Sequence, residues 1–350
     1  MKRNDSVWVT EMTANRFNLG GKTRLFPRDF IVQEAWNERI HTINYSLLEK
    51  LKDQIRTKIQ KEKEYLHFTL VKTNWDTIRA LNYIGKKLHV SLKRFGISGM
   101  KDKRAITSQR VSMWNGRIEN VSNLKLKDMF LKDFKYSDER INLGNAIGNQ
   151  FTITIRHIPR KKDEIENILN HFKAVVISEG IPNYYGHQRM GGKNVEVGAA
   201  IKAGHMKAAV ELILQKVMPY LEEGGVESIP KVFWYEKNMV KHLSKYPNDY
   251  VGALRKIPKK ILTLYVHSYQ SHLFNNELEH AILEQRVTET ITVPGFSIPK
   301  IPELKTFPII RRTYLIANTF ENTKIIDGFA IISFFLNKGE YASTLLAHLI

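Results

Sequence analysis

The chain has 350 residues, 43% hydrophobic and 25% charged, which excludes an intrinsically disordered protein and is long enough to bury one large or two ordinary cores. Its 54 Lys and Arg against 35 Asp and Glu leave a formal net charge of +19, spread along the whole length, which favours a polyanionic partner, most simply nucleic acid. Cysteine is absent, which excludes disulfides, thiolate nucleophiles and cysteine zinc sites. The longest apolar run, 329–336, is too short to span a bilayer, and no signal-peptide pattern opens the chain, so a cytoplasmic protein without membrane contact is expected.

In chain order, the first twenty or so residues mix charged and apolar types without a period and are expected to be loosely ordered. Gly20-Gly21-Lys22-Thr23 ends like a phosphate-binding loop, but Arg16 stands five residues before Gly21 where that loop needs glycine. After the turn-forming Pro27, Phe30 and Val32 alternate with Ile31 and Gln33 in a strand. The mixed charges of 49–64 predict a solvated helix. Leu66, Phe68 and Leu70 alternate with His67 and Thr69, the pattern of a strand with one face buried. Asn74 or Asp76 then caps a helix with Ile78, Leu81, Ile84 and Leu88 on one side. Phe151, Ile153 and Ile155 form a strand opened by Gly148-Asn149, and Ile165, Ile168, Leu169, Phe172 and Val176 a helix stopped by Gly180. From about 195 to 286 the signals are helical, notably 206–217 and 264–282, and strands return with the Pro-rich stretch 294–308 and with 325–336. This is an α+β pattern: a sheet domain built from both ends of the chain with a largely helical insert.

The chemistry concentrates in Gly99-Met100-Lys101-Asp102-Lys103-Arg104-Ala105-Ile106-Thr107-Ser108-Gln109. Phe95 and Ile97 end one apolar run and Val111, Met113 and Trp114 begin another, which places Asp102 on a loop between strands, turned by Gly99. Lys101, Lys103 and Arg104 favour its ionised form. A carboxylate repels phosphate, so it suits a nucleophile or base acting on a nucleotide captured by the cations; the competing reading is a surface ion-pair loop. The loop 183–192, with Asn183, Tyr184, Tyr185 and Arg189, suits either an RNA contact or tyrosines packed on their own domain. Lys338-Gly339-Glu340-Tyr341 sets a glycine turn and an aromatic after a buried strand. His267, His272 and His280 do not share one helix face, which argues against a metal site, and there is no Gly-x-Ser-x-Gly elbow.

These segments line up as Asp29-Phe30-x-Val32-x-Glu34, Gly99-x-Lys101-Asp102-x-x-Ala105-x-Thr107-x-Gln109 and Gly148-Asn149-x-Phe151, then Asn183-Tyr184-Tyr185-Gly186-x-Gln188-Arg189, Gln270-Ser271-x-Leu273-Phe274-Asn275 and Phe335-Leu336-x-Lys338-Gly339-x-Tyr341-Ala342-Ser343. In that order, from about Arg24 to the C-terminus, the chain resembles the TruD family of tRNA pseudouridine synthases, its archaeal and eukaryotic branch more than its bacterial one. The resemblance implies a pseudouridine-synthase fold with a mixed, mainly antiparallel sheet in a discontinuous catalytic domain (1–178 and 306–350) and an inserted TRUD domain (179–305). It implies conversion of a uridine in tRNA, typically position 13 of the D arm, to pseudouridine, with no cofactor or metal and with tRNA as partner; a monomer is expected, and no protein partner is implied. The family's aspartate matches Asp102, and its substrate contacts match Phe30, Asn149, Phe151 and Tyr341, the last being Phe in some members. Lys101 joins them as a flanking cation.

Such an isomerisation needs an anion beside sugar and base, aromatic walls that let the freed uracil turn, and a flipped-out nucleotide. Whether the aspartate attacks base or sugar, or removes a sugar proton, is left open by the residue types. Met190 replaces a common aromatic, and Ala347-His348 replaces an Arg-Glu pair, which makes Arg24 the candidate basic partner of Asp102. The alternatives are a non-catalytic RNA-binding protein of the same fold, a synthase for other RNAs, or another base-modifying enzyme; a methyltransferase needs a cofactor loop that the chain lacks.

Overall fold

A computed structural model describes residues 17–350. The chain divides into two compact units, one running to Ile181 and resuming over Leu315–Ile350, the other Pro182–Tyr314. The loosely ordered N-terminus expected from sequence falls mainly on residues 1–16, outside the described residues. For residues 17–20 the expectation is corrected: Phe17 and Leu19 are buried, and the Leu19 amide donates to Leu349 O at 3.0 Å.

The first unit is α+β, built on a nine-stranded sheet. Its strands are β1 Phe30–Trp36, β2 Arg39–Ile40, β3 Tyr65–Thr73, β4 Phe95–Ile97, β5 Ile106–Trp114, β6 Met129–Ser137, β7 Gly148–Arg156, β8 Thr319–Ile326 and β9 Phe329–Asn337. They run in the order β8-β9-β7-β1-β5-β3-β6, with β2 on β1 and β4 on β5. Among these pairs β1 with β5 is parallel and the others are antiparallel.

Register decides what one face of this sheet presents. Phe30, Val32 and Glu34 of β1 stand opposite Ile153, Phe151 and Asn149 of β7, which in turn face Ile332, Phe334 and Leu336 of β9. On the other side Val32 pairs with Thr107, and Thr107 and Gln109 pair with Lys72 and Leu70 of β3. Two apolar cores form on this face. Phe30, Phe151 and Phe334 pack with Leu169 and Phe172 of the Lys162–Ser178 helix and Leu345 of the Ala342–Leu349 helix. Phe68, Leu70 and Val111 pack with Leu81 and Ile84 of the Thr77–Lys87 helix, capped by Asp76 as one of the two expected residues. Between the cores runs a buried polar seam of Glu34, Lys72, Thr107 and Gln109.

Hydrophobic patterning misses that seam. β5 starts at Ile106, five residues before Val111, because Thr107, Ser108, Gln109 and Arg110 are polar yet buried. In β3 the supposed solvent face is also covered, since His67 and Thr69 are buried. The strand expected over 325–336 is two strands joined at Gly328 (φ +70°), and the Pro-rich 294–308 contains none. The Leu47–Ile59 helix is inverted. Asp53 is buried, where it accepts from Tyr45 Oη at 2.9 Å and Asp133 N at 2.7 Å, while Leu47, Leu48, Leu51, Ile55 and Ile59 are exposed.

The second unit is largely helical. Its core packs the long Lys259–Leu283 helix against the Asn194–Lys202 and Met206–Leu214 helices, and Gly198 permits a close approach to the Tyr265 backbone. A hairpin of Thr290–Val293 and Ile309–Arg312 flanks the Pro-rich stretch, and Ile291 and Val293 pack with Tyr184, Tyr185, Phe274 and Leu278. No described helix is long and apolar enough to cross a membrane.

The inverted helix generates a test. Asp53→Ala removes a buried acceptor and should cost about 1–3 kcal/mol. Leu51→Ser, ordinarily the harsher change on an amphipathic helix, should cost less than about 0.5 kcal/mol. Urea midpoints of the two variants check the order, and a larger loss for Leu51→Ser refutes the inverted packing.

Candidate active site

Because β1 and β5 are parallel, with Ile31 opposite Ile106, the segments that precede them emerge at the same end of the sheet. That brings 22–29 against 98–105. The first segment is tied at both ends. Lys22 exchanges backbone hydrogen bonds with Arg156, at 2.7 and 2.9 Å. Asp29, fully buried, accepts from Arg156 Nε and Nη2 at 2.9 and 2.8 Å and from the Phe26 amide at 2.9 Å. Burial opposes the charge on Asp29, but the Arg156 bond and the amide outweigh it and hold the carboxyl below its usual range. Between these ties Arg24 takes φ +58°, a conformation costly for a residue with a side chain. Its guanidinium lies 3.8 Å over the Phe30 ring, and Nη2 is 3.3 Å from Asp102 Oδ1.

The second segment is pinned from beneath. Glu34 is fully buried; its carboxylate accepts from Ser98 Oγ, from Arg110 N at 2.8 Å, and from Lys101 Nζ at 2.6 Å. Thr77 Oγ1 takes the Lys101 amide at 3.1 Å and donates to Gln109 Oε1 at 3.1 Å, and Gln109 Nε2 donates to Gly99 O at 3.2 Å. Lys72 Nζ donates to Trp75 O at 2.7 Å, Asp102 O at 3.0 Å and Lys101 O at 3.4 Å. Lys101 is thus drawn inward (7% side-chain exposure) while Asp102 stands at the surface (39%). The result is an accessible carboxylate on a rigid loop beside a guanidinium, with the chemical capacity of an oriented nucleophile or base.

Of the residues singled out by sequence, Asp102, Arg24, Phe30 and Phe151 form one chain of contacts; the Phe30 and Phe151 rings meet edge-on at 6.1 Å. Asn149 lies on the same sheet face opposite Glu34, and its buried Oδ1 accepts no hydrogen bond from the described residues. Tyr341 is 44% exposed at the N-cap of the Ala342–Leu349 helix, four residues past Asn337, which pairs with Gly148 beside Asn149. Two of the expected contact residues are engaged within the protein. Lys101 is an internal tie to Glu34, because a buried carboxylate needs its charge. Phe30 is 1% exposed, its face covered by Arg24, so it is no open wall as it stands. The residues that patterning passed over are Glu34, Lys72, Thr77 and Gln109; the signal for Glu34, Lys72 and Gln109 is a polar residue at a core-spaced strand position, and Thr77 opens a helix.

In the second unit the tyrosine loop is packing. Tyr184 and Tyr185 are buried, Asn275 bonds both the amide and the carbonyl of Tyr185, and Arg311 lies 4.2 Å over the Tyr185 ring. Gln270 is likewise buried, donating to Phe307 O at 2.8 Å. No cluster of three or more His, Asp or Glu placed to hold a metal occurs among the described residues.

Glu34→Gln leaves Lys101 buried without a counter-charge. Breaking a buried pair in this way should cost roughly 3–5 kcal/mol. Proteolysis at Lys101, Lys103 and Arg104 should accelerate more than at lysines of the second unit; equal protection of the loop in both proteins refutes the pinning.

Comparison with known proteins adds the lineage. The family described as tRNA pseudouridine synthase D (TruD) matches residues 9–295. A tRNA pseudouridine synthase D from Methanosarcina acetivorans is 32% identical over 289 residues, 77% of this chain and 61% of the relative. One from Pyrococcus abyssi is 29% identical over 335 residues, 90% of this chain and 75% of the relative. The chain spans 61% to 62% of the length of the Methanosarcina relatives. The crystal structure of a tRNA pseudouridine synthase D (TruD) from Methanosarcina mazei superposes with a TM-score of 0.73 at 25% identity, covering 95% of this chain and 93% of that one. With most of its length matched by the family and by archaeal relatives above 30% identity, the chain belongs to the tRNA pseudouridine synthase D (TruD) family.

Proposed function

We propose that this protein converts a uridine of tRNA, position 13 in the D arm, to pseudouridine, with Asp102 as the essential carboxylate and the target nucleotide turned out of the RNA fold. The observation that carries this reading is the Asp102–Arg24 pair at 3.3 Å on a loop pinned by Glu34 and Lys72. Uridine and pseudouridine contain the same atoms, so the reaction needs no reductant or group donor. The base has to leave the sugar, turn and rejoin through carbon. Asp102 supplies the anion next to the reacting atoms, and Arg24 holds it there. When the nucleotide enters, the Arg24 guanidinium moves off the Phe30 ring but keeps Asp102, and the uracil takes its place on Phe30, with Phe151 behind it and Tyr341 and Asn149 as the further contacts. The sheet unit carries this chemistry as the catalytic domain, and the helical unit acts as the TRUD insert that grips the tRNA body; the protein works as a cytoplasmic monomer.

Support for the grip comes from surface charge. Lys256, Lys259 and Lys260 are exposed around the start of the long helix. Other basic residues of that unit are engaged: Lys237 and Lys241 both pair with Glu227 at 2.9 Å, and Arg255 with Glu303 at 2.9 Å. Phosphate contacts of the first kind give affinity without reading sequence.

Three experiments test the reading. Pseudouridine mapping on tRNA treated with the purified protein should show product at one D-arm uridine. Asp102→Asn should lower single-turnover formation by roughly 10⁴-fold while tRNA affinity holds or tightens, one negative charge having left a basic surface. Near-normal turnover by Asp102→Asn removes the essential role. Replacing Lys259 and Lys260 by Gln should weaken tRNA binding and lower the salt slope by about one unit for each phosphate no longer neutralised, with the saturated rate retained. A lower saturated rate with unchanged binding reverses the division of labour.

A further inference from the structure

Lys72 lies on β3 with no exposed surface. An ammonium has three N–H donors and no acceptor, and the three carbonyls of Trp75, Lys101 and Asp102 use all of them. Two of those carbonyls belong to the apex of the 98–105 loop, and one to Asp102 itself. A buried charge in this position is a poor device for stabilising the fold. An apolar side chain of similar volume avoids its desolvation and is often neutral or better for stability. The ammonium is therefore best understood by what it holds.

We propose that Lys72 is a positioning residue for the isomerisation proposed above, its ammonium fixing the peptide of Asp102 and through it the direction of the carboxylate. The inference rests on that functional reading, but its mechanical part, the fixing of the loop, stands apart from it.

Losing the proton undoes the arrangement. A neutral amine keeps two N–H groups and turns a lone pair towards the third carbonyl, which repels it. The charged groups facing Lys72 are Asp102 on the loop and Asp76 at the helix N-cap, which favour the ammonium, and Lys101, which opposes it. Its strand partners, Thr107 of β5 and Met129 of β6, do not titrate. Burial outweighs these groups and brings Lys72 down to about 8. The folded value lies below the unfolded one, so rising pH deprotonates the folded protein first and frees the loop while the fold itself gains stability.

The experiment compares wild type with Lys72→Met and Lys72→Gln, using tRNA for single-turnover rates and binding and amide exchange for the loop. Both variants should fold, with tRNA affinity near wild type. Lys72→Met should form pseudouridine roughly 100-fold more slowly, and Lys72→Gln, which retains two donors, should recover part of that loss. Amides of 98–105 should exchange at least about tenfold faster in Lys72→Met, with the Lys162–Ser178 helix unchanged. In wild type the rate should fall with a midpoint near about 8, and this limb should vanish in Lys72→Met. Unchanged exchange in the loop overturns the proposal whether or not the protein makes pseudouridine. A protein that makes none, yet shows the accelerated loop, overturns the functional reading and leaves the fixing of the loop standing. If neither variant folds, the wild-type pH profile decides: a flat rate from about pH 7 to about pH 9 in a folded enzyme overturns the proposal.

Discussion

Taking the Glu34 carboxylate out of water costs several kcal/mol, and the structure offsets this with an ammonium, a hydroxyl and a backbone amide drawn from two different segments. Two of those donors, Ser98 and Lys101, stand on the loop before β5, so satisfying the carboxylate means holding the loop against β1. The third, the Arg110 amide, is on β5 itself. With Lys101 taken inward, the adjoining Asp102 is left at the surface. Remove the buried anion and the reason for the loop's conformation goes with it.

The same logic runs through the neighbouring ties. Asp29 secures Arg156 and the turn that carries Arg24, and Thr77 links the loop to the start of a helix. Arg24 itself occupies a strained backbone region, held there by Lys22 on one side and Asp29 on the other. Strain of that kind persists where surrounding bonds over-determine it. The site is thus assembled from buried charges that a purely stabilising design would replace by apolar packing, and what they secure is a carboxylate and a guanidinium set 3.3 Å apart.

Several motif residues turn out to be structural, and this alters how a family signature is to be read. Asn275 and Gln270 bind backbone groups within the helical unit, and Tyr184 and Tyr185 fill its core. A string of polar and aromatic residues in a glycine-bounded loop looks like a nucleic-acid contact because the same donors, acceptors and rings serve both purposes. Burial separates the two uses, and burial is a property of the folded chain.

Composition and spacing by themselves determined the α+β class, most strands and helices, the expectation of a polyanionic partner, and Asp102 as the lone acid of a basic loop; the family resemblance added Arg24 as its expected partner. These are local properties: alternation of period two, helical spacing, turn residues, charge. The tertiary structure decided the rest. It buried Thr107 to Arg110 as strand, turned the leucines of the Leu47–Ile59 helix outward, covered Phe30 with Arg24, and took Lys101 and Lys72 inside. The physical reason is the same in each case. A polar side chain goes inside when partners from distant segments satisfy its hydrogen bonds and charge, and which distant segments meet is set by the parallel β1–β5 pairing, a long-range contact that no local pattern encodes.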